Sequence, residues 1–510
     1  MFGRVLPVAS MVAALASCVL AADGSRASAG ALPPAVATAL ALHSLPAEAL
    51  SAWVAPVDAG KPVWHWQSET AFAPASTLKT LTTQVALDRL GPNWRGQVRL
   101  LTRAPLTGGE ADGDGRTLAG DLVLRGEAHP DFDLAALDRL LRTLRAQGIR
   151  HIAGDLVVDR SFFRPGRHDV GLPPFDETPE FRYNVIPDAL FLASNLVTLE
   201  LAVVGAGVRV VADPDLAGVR WSSELALIDA RCSDWEREWR TPEVERLPDG
   251  SIIARLRGAF PRDCKVSTQI AVIDRDEYLG RLLPARWRAF GGTLAGRVRF
   301  QDTAAGEGAP LRELALVRSR TLAEFARDIQ RRSDNPITRM VYLALGAQTA
   351  APGEATLAAA ERTVRNWLAE HAITAPGLVL DNGSGLSRSE RIAARTLGEV
   401  LRVARRSPWW PEFAYGLPVA GRDGSLARRL RDSRAAAAPT PARLKTGTLR
   451  DVGALAGYVT AADGREYVFV AMVNDPEVRP GTITTRAQPV LDALVEWVAE
   501  AGWRTEPWAP

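Results

Sequence analysis

Helical and strand texture are unevenly spread along this chain, and that unevenness constrains its fold more than any other feature. Both ends mix helix and strand, whereas the middle reads as short strands punctuated by Pro and Gly. Residues 30–50 are alanine-rich and predict an opening helix, and Val54 to Trp66 alternates around the turn Asp58-Ala59-Gly60-Lys61, predicting a hairpin. Pro74 introduces a helix from about Ser76, which Gly91-Pro92 ends. Helical spacing resumes near 321 with Leu322, Phe325 and Ile329, continues after Pro336 over Met340 to Leu345, and returns over 356–371. Ala442 to Thr448, Ala454 to Thr460 and Glu466 to Asn474 predict three strands. The last two are joined by the turn Ala461-Ala462-Asp463-Gly464, and a final helix covers roughly 486–501. A chain of 510 residues exceeds one ordinary core. One domain made from both ends and interrupted by an insertion accounts for this pattern.

Within the middle, Gln97 to Thr102, Asp121 to Leu124 and Asp155 to Val158 predict strands, and Leu134 to Gln147 an amphipathic helix. Gly120-Asp121-Leu122-Val123 and Gly154-Asp155-Leu156-Val157 form a weak internal echo. Residues 161–275 are strand-like, and 285–310 return to strand texture.

Composition excludes several function classes. Apolar content of 47% with 24% charged residues is that of a globular protein, and a net charge of +2 without a basic stripe gives no footprint for nucleic acid. At the N-terminus one Arg precedes about 18 apolar or small residues, a signal peptide pattern over 1–29. Two exits fit it. One is ordinary cleavage; the other is a lipoprotein box at Leu15-Ala16-Ser17-Cys18, which would leave a lipid anchor at Cys18. Either predicts an exported, periplasmic protein. Cys232 and Cys264 then remain, read as one disulfide, with two buried thiols as the alternative. The six His residues show no metal-ligand spacing, so no catalytic zinc is expected.

Only four of the 61 basic residues are lysine: Lys61, Lys79, Lys265 and Lys445. Two of them fall in motifs that carry chemistry. In Ser76-Thr77-Leu78-Lys79, helical i,i+3 spacing puts an amine beside a hydroxyl. A hydroxyl becomes a nucleophile when a base removes its proton. Lysine can be that base if burial lowers its pKa, whereas arginine stays protonated. In Ser333-Asp334-Asn335, a hydroxyl and an amide could enter the same cleft, although such residues also serve as helix N-caps. In Lys445-Thr446-Gly447-Thr448, a strand could offer a fixed charge, a hydroxyl and close backbone approach at Gly447. The Thr448 and Ser76 amides could together form an oxyanion hole. Asn382-Gly383-Ser384-Gly385 lacks the full nucleophile-elbow pattern and reads as a glycine turn.

The order Ser-x-x-Lys, Ser-x-Asn, Lys-Thr-Gly is that of penicillin-binding proteins and class A β-lactamases. Roughly 250 residues lie between Ser76 and Ser333. With that spacing, the chain resembles the D-alanyl-D-alanine carboxypeptidase/endopeptidase family of low-molecular-mass class C penicillin-binding proteins. The stretches Tyr183 to Leu190, Asp381 to Arg388 and Leu417 to Leu426 are also similar to that family. Pro336-Ile337-Thr338-Arg339 departs from it, since many relatives carry an Ala-Glu pair there. The resemblance implies an α/β (α+β) transpeptidase/β-lactamase-like domain, an antiparallel sheet flanked by helices, formed by 30–95 and 311–510. It also implies a large, mostly β, two-domain insertion: 96–160 with 276–310, and a nested unit over 161–275. Ser76, Lys79, Ser333, Asn335 and Lys445 would be catalytic, and Thr446, Gly447 and Thr448 substrate-binding. Peptidoglycan stem peptides and β-lactams are the implied ligands. The rival readings are a β-lactamase and a non-catalytic wall-binding scaffold.

Overall fold

The segments Val452–Thr460 and Glu466–Asn474 are buried at nearly every position, so neither shows the in/out alternation of a half-exposed strand. Such strands need cover on both faces. The computed structural model, which describes residues 31–501 apart from 59, 110–114, 304–309 and 478–481, shows how they obtain it. The expected leader 1–29, with Cys18, and Ala59 of the predicted turn lie outside the described residues.

Along the chain, Pro34–Leu42 forms α1, Leu50–Pro56 and Trp64–Trp66 form β1 and β2, and Lys79–Leu90 forms α2. After the insertion come α3 (Leu322–Arg331), α4 (Asn335–Thr349), α5 (Thr356–Glu370) and α6 (Ala394–Arg406). Then follow β3 (Arg443–Leu449), β4 (Val452–Thr460), β5 (Glu466–Asn474) and α7 (Ile483–Glu500). The strands make one antiparallel sheet in the order β2-β1-β5-β4-β3. The two ends of the chain meet where β1 pairs with β5, from Leu50↔Val473 to Pro56↔Tyr467.

One face of this sheet packs on α1 and α7 through Val36, Leu40, Phe469, Leu491 and Leu494. The other face, with Val470 and Met472, meets α2 and α6, and α3, α4 and α5 lie beyond. Helix α2 is therefore enclosed, and Lys79 through Leu87 are all buried. Enclosure explains why it lacks a one-sided apolar stripe. Two of its hydroxyls find partners indoors: Thr80 Oγ1 donates to the Thr77 carbonyl at 2.8 Å and Thr82 Oγ1 to the Gly383 carbonyl at 2.6 Å. Gly91, at φ +81°, ends the helix in a conformation that favours glycine.

The insertion builds a second sheet from Gln97–Thr102, Leu122–Glu127, Leu156–Asp159, Val298–Gln301 and Arg312–Arg318. The internal echo is a structural repeat. Leu122 stands opposite Leu156 in parallel pairing, the Gly154 amide donates to the Gly120 carbonyl at 3.1 Å, and the Asp155 amide to Asp121 Oδ1 at 2.7 Å. A third copy follows, with the Gly296 amide on the Gly154 carbonyl and the Arg297 amide on Asp155 Oδ1. Its sequence, Gly296-Arg297-Val298, had drifted too far to be seen as a repeat.

Helix Arg275–Ala289 overrides the strand texture expected from 285 onward. Pro284 inside it argues against a helix locally. Burial of Tyr278, Leu279, Leu282, Leu283 and Trp287 on one side outweighs that penalty. Residues 312–318 pair with 97–102, so the chain leaves this sheet later than the junction expected at 311. Between Asp159 and Arg275 lie two small sheets.

Cys232 and Cys264 form a disulfide with Cα atoms 5.1 Å apart, joining residues 32 positions apart in sequence. A loop of that size contributes about 2–4 kcal/mol in the chain-entropy account. Reduction is expected to lower the unfolding midpoint of this unit in denaturant. Fluorescence of Trp235 and Trp239, in edge contact beside it, reports the change. An unchanged midpoint with and without reductant would show that the bridge restrains nothing.

Candidate active site

Ser76 lies in a 3₁₀ turn, Ala75–Leu78, that runs directly into α2. Ala75 just before it has φ +45°, a left-handed conformation that costs a non-glycine residue energy. Two glycines press on the turn and hold it there. A Cβ on Gly385 would come within 1.9 Å of the Ala75 carbonyl oxygen, and one on Gly447 within 2.8 Å of the Pro74 oxygen.

Lys79 is fully buried, with Nζ 2.9 Å from Ser76 Oγ, 2.6 Å from Asn335 Oδ1 and 2.5 Å from the Ser384 carbonyl. The Asn335 amide is oriented by Nδ2, which donates to the Tyr183 carbonyl at 3.1 Å. Two of the three partners of the amine can only accept. A neutral amine has two hydrogens and one lone pair. Giving both hydrogens to Asn335 and Ser384 aims the lone pair at the Ser76 hydroxyl.

The Ser333-Asp334-Asn335 motif divides its work. Asp334 is the N-cap of α4, with Oδ1 accepting from the Ile337 amide at 2.9 Å and Oδ2 from Arg182 at 2.9 Å. Ser333, at φ +58°, turns its hydroxyl the other way, where it accepts from Lys445 Nζ at 2.9 Å. Both the capping and the cleft reading of this tripeptide therefore hold, for different residues.

Lys445 is also fully buried and donates to the Thr446 carbonyl at 2.8 Å. Its strand β3 is the edge of the main sheet. The Leu444 amide points away from β4, to the Pro418 carbonyl. Amide directions alternate along a strand, so those of Thr446 and Thr448 share that outward side. At 446–448 this edge pairs with no strand among the described residues. Thr446 Oγ1 meets Ser425 Oγ at 2.7 Å.

Burial, then the charge of Lys445, holds the Lys79 amine well below the ordinary lysine range, against the opposing pull of Glu390 and Asp334. Burial lowers Lys445 to about 7.

Ser76, Ser333, Asn335 and Thr448 line one cleft of about 480 Å³. The insertion supplies part of its wall with Phe175, Asp176, Glu177 and Tyr183, and Arg388 and Arg450 stand across from them. Arg388 stacks on Phe175 at 4.8 Å, and Arg450 pairs with Glu177 at 3.6 Å. The candidate residues thus converge, Cys232 and Cys264 apart. Motif reading missed Phe175, Asp176 and Glu177, because nothing local marks a loop that reaches a site in another part of the fold. It also missed the Ser384 carbonyl, since a backbone group has no residue signature. Arg339, the departure from the family pattern, is buried and donates to the carbonyls of Asn184 and Leu386, tying the inserted segment to the glycine turn. Among the described residues, no group of three His, Cys, Asp or Glu side chains could hold a metal ion.

The profile of the D-Ala-D-Ala carboxypeptidase 3 (S13) family matches residues 32–500. The chain is 29% identical over 452 residues to the D-alanyl-D-alanine carboxypeptidase of Actinomadura sp. (strain R39), covering 86% of this chain and 79% of that one. It is 25% identical over 416 residues to the D-alanyl-D-alanine carboxypeptidase DacB of Haemophilus influenzae, covering 80% and 82%. The crystal structure of penicillin binding protein 4 from Haemophilus influenzae shares the fold, with a TM-score of 0.73 at 23% identity over 91% of this chain and 99% of that one. The chain belongs to the D-Ala-D-Ala carboxypeptidase 3 (S13) family and is a serine-type D-Ala-D-Ala carboxypeptidase.

Proposed function

We propose that Ser76 is the acylated nucleophile, with Lys79 its general base, and that the substrate is the D-alanyl-D-alanine end of a peptidoglycan stem peptide. The observation that carries this reading is the Lys79 amine, buried and bonded to two obligate acceptors so that only the Ser76 hydroxyl is left to its lone pair. Because Lys79 contacts Ser76 directly, no relay is needed for deprotonation. Ser76 attacks the carbonyl of the penultimate D-alanine. The Ser76 and Thr448 amides receive the oxyanion. The proton taken up by Lys79 passes to the leaving amine by way of the Ser333 hydroxyl, which Lys445 supports, so Lys79 is neutral again. It then takes a proton from the incoming water, which hydrolyses the ester, and returns that proton to Ser76 Oγ as the ester opens. The open edge at 446–448 suits an extended peptide, and Gly447 lets it approach closely. Lys445 and the Thr446 and Thr448 hydroxyls suit its carboxylate. A β-lactam presents a carbonyl and a carboxylate in the same relation and acylates the same serine.

Such chemistry belongs in an exported compartment, which fits the signal pattern over 1–29, whether it ends in cleavage or in lipidation of Cys18. Among the described residues no helix is long and apolar enough to cross a membrane.

A fluorescent penicillin is expected to label the protein stoichiometrically at Ser76, located by peptide mapping, and Ser76→Ala is expected to abolish the label. Labelling that survives in that variant would sink the assignment, and turnover of the adduct within seconds would mark a β-lactamase instead. Lys79→Arg is expected to slow acylation by about 10²–10⁴-fold, because arginine keeps its proton. The pH profile of kcat/KM tests the same amine. Deprotonation of Lys79 activates the serine, so the rate rises with pH through its lowered pKa, well below the ~10.4 of a free lysine. An acid limb in the ordinary lysine range would contradict a buried neutral base.

A further inference from the structure

Behind the cleft lies a carboxylate that reaches no substrate-facing atom. Glu390 is 1% exposed. Its Oε1 accepts the backbone amides of Asp381, Asn382 and Gly383 at 3.3, 3.0 and 2.8 Å, and Oε2 accepts that of Gly385 at 2.9 Å. One side chain thereby gathers four of the five amides of the turn 381–385. All four partners are donors, an arrangement that fits an ionised carboxylate and offers no acceptor to a carboxyl proton.

What this turn touches is the catalytic helix. The Ser384 carbonyl accepts from Lys79 Nζ at 2.5 Å, and the Gly383 carbonyl accepts from Thr82 Oγ1 at 2.6 Å, one helical turn further along. Gly385, at φ +79°, lies flat against Ala75, where any Cβ would strike the carbonyl oxygen. The turn is thus locked at two points to α2 and at a third to the 3₁₀ turn that leads into it, and the lock is held from behind by one buried charge.

We propose that Glu390 is a positioning residue for acylation: by gathering the 381–385 amides it aims the Ser384 carbonyl at the Lys79 amine and places a negative charge in that amine's field. The inference rests on the reading of Lys79 as the base. The charged groups facing Lys79 are Lys445 and Arg339, which oppose its protonation, and Glu390 and Asp334, which favour it. Those facing Glu390 also include Asp381, whose charge adds to burial in pushing this carboxyl up, while the turn amides pull it down. Arg339 and the Tyr342 hydroxyl feel the Glu390 charge as well. Removing that charge leaves Asp334 alone against two cations. Lys79 then gives up its proton at lower pH.

The test measures the acylation rate constant with fluorescent penicillin across pH, with thermal melting alongside, for wild type, Glu390→Gln and Glu390→Asp. Glu390→Gln places an N–H among donors. It is expected to slow plateau acylation by about tenfold or more and to move the acid limb to lower pH by roughly half a unit or more. Glu390→Asp keeps the charge but loses reach, so its plateau falls while its limb stays with wild type. The proposal is overturned if Glu390→Gln acylates as wild type does, or if both variants slow equally with unmoved limbs, as a purely structural strut would require. Should Glu390→Gln fail to fold, Glu390→Asn takes its place beside Glu390→Asp, the two sharing reach and differing in charge: a limb lowered in Glu390→Asn alone supports the proposal, and equal limbs or a wild-type plateau in both overturn it. Wild-type protein that does not acylate at all would bring down the reading of Ser76 and Lys79 themselves, a result distinct from either variant outcome.

Discussion

The hydrogen-bond triangle around the Lys79 amine is the constraint on which the rest of the site depends. An ammonium group removed from water is costly, so a lysine buried without an ion partner in contact tends to become neutral. Here that tendency is useful. The amine meets a hydroxyl from its own turn, a side-chain amide from α4 and a backbone carbonyl from the turn at 384. These three groups come from chain segments that share no local sequence. Each is fixed in turn by a neighbour: Ser76 by the clamped 3₁₀ turn, Asn335 by the Tyr183 carbonyl, Ser384 by the turn that Glu390 gathers. The amine is therefore oriented before a substrate arrives, which is how a positioned base differs from a merely nearby one.

That dependence draws the insertion into the site. The segment 182–185 comes from the interrupting part of the chain, yet Arg182 bonds the Asp334 cap, Tyr183 orients Asn335, and the Asn184 carbonyl receives Arg339. Residues 175–177 form a wall of the cleft. The inserted sheets are built on their own core, around Leu124, Leu140, Val158 and Leu283. A separate core lets them hold this segment as a rigid strut rather than a loose loop.

Local pattern made much of the main body legible. The helices α3 and α5 carry their periods openly because each buries one side, and the final strands read as apolar runs bounded by turns because the sheet is covered on both faces. The helix Arg275–Ala289 was obscured by Pro284, whose cost local rules count and tertiary burial overrides. The third copy of the glycine repeat was obscured because backbone pairing, rather than side-chain identity, defines it. Within the site, motif residues were visible because a nucleophile, a base and a fixed charge need particular side chains. Ser384 and the insertion's wall were not, since they contribute a carbonyl and a surface.

Scarcity of lysine in an arginine-rich chain marked Lys79 and Lys445 from the sequence alone, and order and spacing placed them in one kind of acyl-transfer site. Lys61 and Lys265 share that scarcity and lie exposed, so composition by itself did not separate the pairs. Burial separates them, and burial belongs to the whole fold. Residue types determine which protons can move. The tertiary structure decided which of those groups leave water, what each one faces, and hence which amine is free to take a proton from Ser76.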